Sequence, residues 1–84
     1  MGINVKKEND TLIITWQLSK TEILLKDVEE VGFDETYGGE EKNAIRIGTP
    51  YGPTDRIFIK TTSNTYILFT TNGETLINRI KGYL

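Results

Sequence analysis

Few side chains in this sequence are grouped as reactive chemistry requires. The 84 residues include neither histidine nor cysteine. That removes the commonest general base, and with it the imidazole and thiolate ligands of transition-metal sites. A serine, threonine or lysine nucleophile would need a carboxylate or a second lysine as its base, and no local pattern pairs them. Carboxylates are densest in Asp34-Glu35-Thr36-Tyr37-Gly38-Gly39-Glu40-Glu41, and such oxygens suit calcium. Their spacing is not that of a helix–loop–helix calcium site, and the stretch reads as a solvated acidic face. Gly48-Thr49-Pro50-Tyr51-Gly52 does not follow the Gly-x-x-x-x-Gly-Lys-Ser/Thr pattern of a phosphate loop. The chain reads as non-catalytic, with no cofactor and no metal.

Recognition is the remaining chemistry. Two prolines and two glycines fix the turn over residues 48–53, and the rigid loop would offer Tyr51 to a partner, with Arg56 at its flank. Asp55 and Arg56 are neighbours on a strand and point to opposite faces. Asp55 is expected to help fold the preceding loop, and Arg56 to meet a cross-strand acid or solvent. Along residues 56–61, Ile57 and Ile59 share one face; along residues 65–70, Ile67 and Phe69 do. If those four are core, Phe58, Tyr66 and Leu68 make an outward apolar cluster; the alternatives are a covering helix or a reversed face. The candidate partner-binding residues are Phe58, Tyr66, Leu68, Tyr51 and Arg56, facing a protein partner or a second copy of the chain.

The elements that must position these residues are mostly strands, by their period-two alternation. Ile3 and Val5 alternate with polar neighbours, Glu8-Asn9-Asp10 is turn chemistry, and residues 11–18 follow with Leu12, Ile14, Trp16 and Leu18 on one face. Trp16 is expected in the core. Residues 19–21 break the pattern, and residues 22–25 and 28–33 read as the third and fourth strands. A helix over residues 20–31 is the competing assignment, since Lys, Glu and Leu favour helix. After the acidic loop come a strand at 44–48 with Ile45 and Ile47 inward, and a hairpin of residues 56–61 and 65–70. Thr71 and Glu74 read as a capping box. Leu76, Ile77, Ile80, Tyr83 and Leu84 then recur at helical spacing. So short a helix must dock on the sheet to persist.

Seven strands and one closing helix are the layout of a pleckstrin-homology-like (PH-like) domain. Leu12-Ile13-Ile14-Thr15-Trp16-Gln17-Leu18, then Ile45-Arg46-Ile47-Gly48-Thr49-Pro50-Tyr51-Gly52 leading to Asp55-Arg56, then Tyr66-Ile67-Leu68-Phe69-Thr70 resemble small bacterial PH-like proteins of the SunI (sublancin-immunity) type. The resemblance runs over nearly the whole chain. It implies a mainly β, seven-stranded bent sandwich or partly open barrel, closed by its C-terminal helix, and it carries no established site residue. SH3-like and OB barrels are the runner-up architectures. Immunity-type members add a membrane-spanning segment, so an immunity role here would act through a separate membrane partner.

Composition narrows the setting. Residues 22–41 hold eight acids against Lys26 alone, a net of −7, within a chain whose total is −2. Such a chain is not a bulk nucleic-acid binder, and its acidic stretch disfavours anionic lipid. No run approaches the ~18 apolar residues of a membrane span, and the start Met1-Gly2-Ile3-Asn4-Val5-Lys6 is neither a signal peptide nor a myristoylation motif. Absent cysteine fits a reducing compartment. One domain over residues 1–84 is expected, in a cytoplasmic interaction module that binds a protein or itself. The alternative is a small-molecule or peptide-ligand domain that binds at the open end of the sandwich. If no metal is held, thermal melts with EDTA and with micromolar calcium will coincide, whereas a shift of several degrees on adding calcium would contradict that.

Overall fold

Two-residue turns cut the first quarter of the chain into short strands. The computed structural model describes residues 2–34, 44–49 and 54–84. Strands β1 (Asn4–Glu8), β2 (Thr11–Trp16) and β3 (Ser19–Leu24) form an antiparallel meander in that order. Asn9 opens the first turn with φ 57°, a left-handed conformation its short polar side chain tolerates. The second turn is Gln17-Leu18, because Trp16 pairs directly with Ser19. That ends β2 two residues earlier than the alternation suggests and starts β3 earlier. Leu18, expected beside Trp16 on the inner face, is instead fully exposed at the hairpin tip.

A 3₁₀ turn over Leu25–Asp27 swings the chain from the first sheet into the second. The backbone N–H of Leu25 donates to the Asp10 carbonyl at 2.9 Å, and that of Thr62 to the Asp27 carbonyl at 3.1 Å, so both sheets hold the corner. The second sheet contains β4 (Val28–Phe33), β5 (Ile45–Ile47), β6 (Asp55–Thr61) and β7 (Thr65–Thr70), ordered β4-β6-β7-β5. Residues 20–31 are therefore strand, corner and strand, as the β-branched pattern predicted, and not helix. The β6–β7 hairpin is closed by Thr61, whose hydroxyl donates to the Asn64 carbonyl at 2.8 Å and accepts from the Asn64 N–H at 3.0 Å. Strand β5 runs parallel to β7, which requires a crossover and not a hairpin. Ile47 is inward and buried as expected, but Ile45 is exposed.

Each sheet is too small to bury a face alone, and the helix α1 (Gly73–Tyr83) supplies the third wall. One core joins Ile3, Val5, Leu12, Ile14 and Ile23 to Val31, Ile47, Ile57, Ile59 and Leu68, closed by Leu76, Ile77 and Ile80 of α1. Seven strands in two sheets with one closing helix give the expected PH-like architecture as a sandwich.

The helix start differs from the capping box read in the sequence. Gly73 is the first helical residue and Asn72 the cap, and no capping side chain there bonds the backbone. The acceptor comes from across the fold: Asp55 Oδ2 takes the Gly73 N–H at 3.1 Å. The loop that Asp55 is expected to help fold lies, over residues 50–53, outside the described residues; its carboxylate holds the helix N-terminus, where the dipole favours negative charge. The approach is so close that a Cβ on Gly73 would lie 2.9 Å from Asp55 Cβ, Asp55 Oδ2 and Phe33 Cε1. Alanine elsewhere in a helix gains up to ~1 kcal/mol over glycine. Here that gain is outweighed by the overlap, so Gly73→Ala lowers the midpoint of denaturant unfolding, and a raised midpoint would contradict the contact.

Candidate functional site

The ends of four strands and the chain's first residues meet at a cleft. β2 delivers Trp16 and its turn delivers Gln17; β7 delivers Phe69 and Thr70 and leads into Thr71. Thr49 follows β5, Thr54 precedes β6, and Gly2 precedes β1. Together these residues line a cavity of about 450 Å³, within the ~300–1,000 Å³ range of ligand pockets. Gly48 sets the geometry of the β5 side. Its φ is 96°, and a Cβ there would lie 2.7 Å from the Phe69 carbonyl oxygen, so only glycine allows both this turn and this approach. On the opposite rim, Ser19 Oγ donates to the Trp16 carbonyl at 2.8 Å and tightens the β2–β3 turn.

The chemistry of the cleft is neutral. Its described lining consists of two aromatic side chains, four threonine hydroxyls, an amide and a glycine, with no ionisable group. Trp16 packs against the core yet is only half buried, leaving part of its indole at the cleft. Phe69 is half buried too. Such a surface accepts hydrogen bonds and apolar contact but offers no counter-charge. Among the described residues no three His, Cys, Asp or Glu side chains gather as a metal site would need. No described helix is long and apolar enough to cross a membrane.

The residues singled out in the sequence do not converge here. Directly opposed residues on paired strands share a face, and β6 pairs Ile57 with Leu68, Ile59 with Tyr66, Phe58 with Ile67 and Arg56 with Phe69. The expected grouping of Ile67 and Phe69 with Ile57 and Ile59 is therefore reversed on β7. Leu68 is fully buried against the helix side, and Tyr66, on the same face, packs on the core. Phe58 alone of the three faces outward, its ring 3.2 Å from where a Gly32 Cβ would stand, so it shields that glycine on the neighbouring strand. Arg56 is half buried on Phe58's side, between Phe69 on β7 and, on the β4 side, Asp34, whose N–H donates to the Arg56 carbonyl at 2.9 Å. Tyr51 and residues 35–41 of the acidic stretch lie outside the described residues. The alternation within each strand was legible; the register between the two strands was not. The cleft is not legible in the sequence because its described lining comes from five separate points of the chain. The available signal was the uncharged runs Trp16-Gln17-Leu18-Ser19, Gly48-Thr49 and Phe69-Thr70-Thr71.

Comparison with known proteins adds lineage. The family model for the SunI-like bacterial PH domain matches residues 1–82. The UPF0457 protein YnzG of Bacillus subtilis is 60% identical over 80 residues, covering 95% of this chain and 96% of that protein. A UPF0457 protein of Geobacillus thermodenitrificans is 59% identical over 83 residues, covering 99% of this chain and 89% of the relative. One from Bacillus thuringiensis is 58% identical over 81 residues, covering 95% and 96%. No solved structure matches the chain significantly.

The face assignment is tested by one pair of substitutions. Leu68→Lys places a charge in the core at a cost of several kcal/mol, against a total stability of about 5–15 kcal/mol, and is expected to unfold the domain. Phe58→Lys removes a cross-strand contact of about 0.2–1 kcal/mol and leaves a cooperative melt. Far-ultraviolet circular dichroism on heating separates the two; a folded Leu68→Lys protein would contradict the register.

Proposed function

The chain belongs to the SunI-like bacterial PH domain family, and on that footing we propose that it is a non-catalytic, cytoplasmic interaction module whose binding surface is the Trp16–Phe69 cleft. The observation that carries this reading is the neutrality of the cleft in a chain of ordinary charged content. Charged residues make up 26% of the sequence, yet none is among the described lining. Depletion of charge with enrichment in aromatics marks the cores of protein interfaces. The exposed Trp16 face beside hydroxyl groups suits an uncharged protein segment, whose amides find hydrogen-bond partners while an apolar side chain meets the indole. Arg56 stands directly opposite Phe69 on the neighbouring strand, so a partner extending beyond the cleft would reach Arg56 first and Phe58 next.

The position of Thr71, exposed on the cleft wall, makes a direct test available. Thr71→Lys is expected to abolish recovery of bound proteins on immobilised domain while leaving the melting temperature within about 2 °C of the parent, a surface change of under ~0.5 kcal/mol. Arg79→Glu, an exposed change on the helix, is expected to retain them. If Thr71→Lys captures the same proteins as the parent, the cleft is not the surface used.

A further inference from the structure

Resting on the reading of the cleft as a binding site, we propose that it is filled by the β2–β3 hairpin tip of a second copy of this chain. Leu18 of each copy enters the other's cleft about a two-fold axis. The tip is a poor turn by its own chemistry. Gln17 takes a left-handed φ of 54°, where Asn, Asp or Gly would be less strained. Leu18 is exposed at 104%, against 57% for Leu84, the next most exposed large apolar side chain among the described residues. Local choices that oppose local stability are expected where function requires them.

The position of the tip points to a second copy. Leu18 stands beside the cleft without lining it, since Trp16 and Gln17 just before it form the wall. An apolar knob adjacent to an aromatic hole on one surface is self-complementary, as a two-fold interface demands. The described lining together with Leu18 and Ser19 carries no charge, so two copies meet there without like charges in opposition.

Edge-to-edge pairing is less favoured by the same molecule. β3 presents the Lys20–Glu22 ion pair at 3.3 Å along its exposed rim, and β4 begins with a register shift around Glu29. Charges and bulges of this kind blunt edge pairing. The surface at the tip is small, below the ~1,200 Å² of stable complexes, so association is reversible and weak.

Sedimentation equilibrium of the full chain from about 10 μM to about 1 mM, with Trp16 emission recorded over the same range, tests the proposal. The parent is expected to pass from monomer to dimer while the emission of its single tryptophan shifts to shorter wavelength. Leu18→Gly, which suits the turn, is expected to remain monomeric with constant emission and an undiminished melting temperature. Leu18→Met, retaining the apolar knob, is expected to dimerise within about threefold of the parent's dissociation constant, as volume-conserving apolar changes allow. A parent that stays monomeric throughout, or a Leu18→Gly protein that dimerises like it, would overturn the proposal. The cleft itself is read separately by titrating the blocked peptide N-acetyl-Gly-Gln-Leu-Ser-amide into Leu18→Gly. A Trp16 response without parent dimerisation leaves the cleft as a binding site and removes only the second copy; no response and no dimer removes both.

Discussion

The hydrogen bond from the Gly73 N–H to the Asp55 carboxylate, 3.1 Å long, joins three parts of the fold that the chain brings together late. Asp55 opens β6, Gly73 opens α1, and the residues between β7 and the helix form one wall of the cleft. Fixing the helix start therefore fixes the third wall of the core through Leu76, Ile77 and Ile80, and also fixes Thr54, Thr70 and Thr71 at the cleft. The missing Cβ at Gly73 is what allows the carboxylate so near. A helix of 11 residues has little stability of its own, and a chain of 84 residues buries a limited share of its surface, so much depends on this single junction.

From that junction outward, the two faces of each sheet play different parts. Inner residues of both sheets join one core beneath the helix. Two further apolar residues, Ile13 and Ile67, are buried on the outward faces at 3% and 2% exposure. Ile13 lies between Lys6 and Glu22 in register, where long charged side chains cover apolar surface with their stems. Ile67 lies between Phe58 and Arg46. Charged residues thus accompany apolar ones along the sheet faces, whereas the described lining of the cleft has none. The cleft is distinguished by that contrast more than by its size.

Most of the architecture was legible in the sequence, and the reasons are local. Alternation placed all seven strands to within about three residues at each end, Asn9-Asp10 marked the first turn, and apolar spacing placed the helix. What failed depended on geometry between elements. Gln17-Leu18 carries no turn signature, so β2 seemed to run on to Leu18. The helix cap was sought one residue early and among neighbours in sequence, whereas its acceptor lies 18 residues away. The opposition of Leu68 to Ile57 is a matter of pairing register, which a one-residue difference inverts. The candidate cluster of Phe58, Tyr66 and Leu68 dissolved for that reason. The cleft was out of reach because no stretch of sequence contains it.

Proposed binding falls on the neutral surface around Trp16, Phe69 and the β2–β3 tip. Amide and indole chemical-shift changes, followed residue by residue as the protein is concentrated or a captured partner is added, test it most directly. The largest changes are expected on the Trp16 indole N–H and on the amides of residues 17–19, 49 and 69–71, with the solvent face of α1 unmoved. Changes centred instead on residues 74–82, or on Phe58 and Lys60 with Trp16 silent, would contradict it.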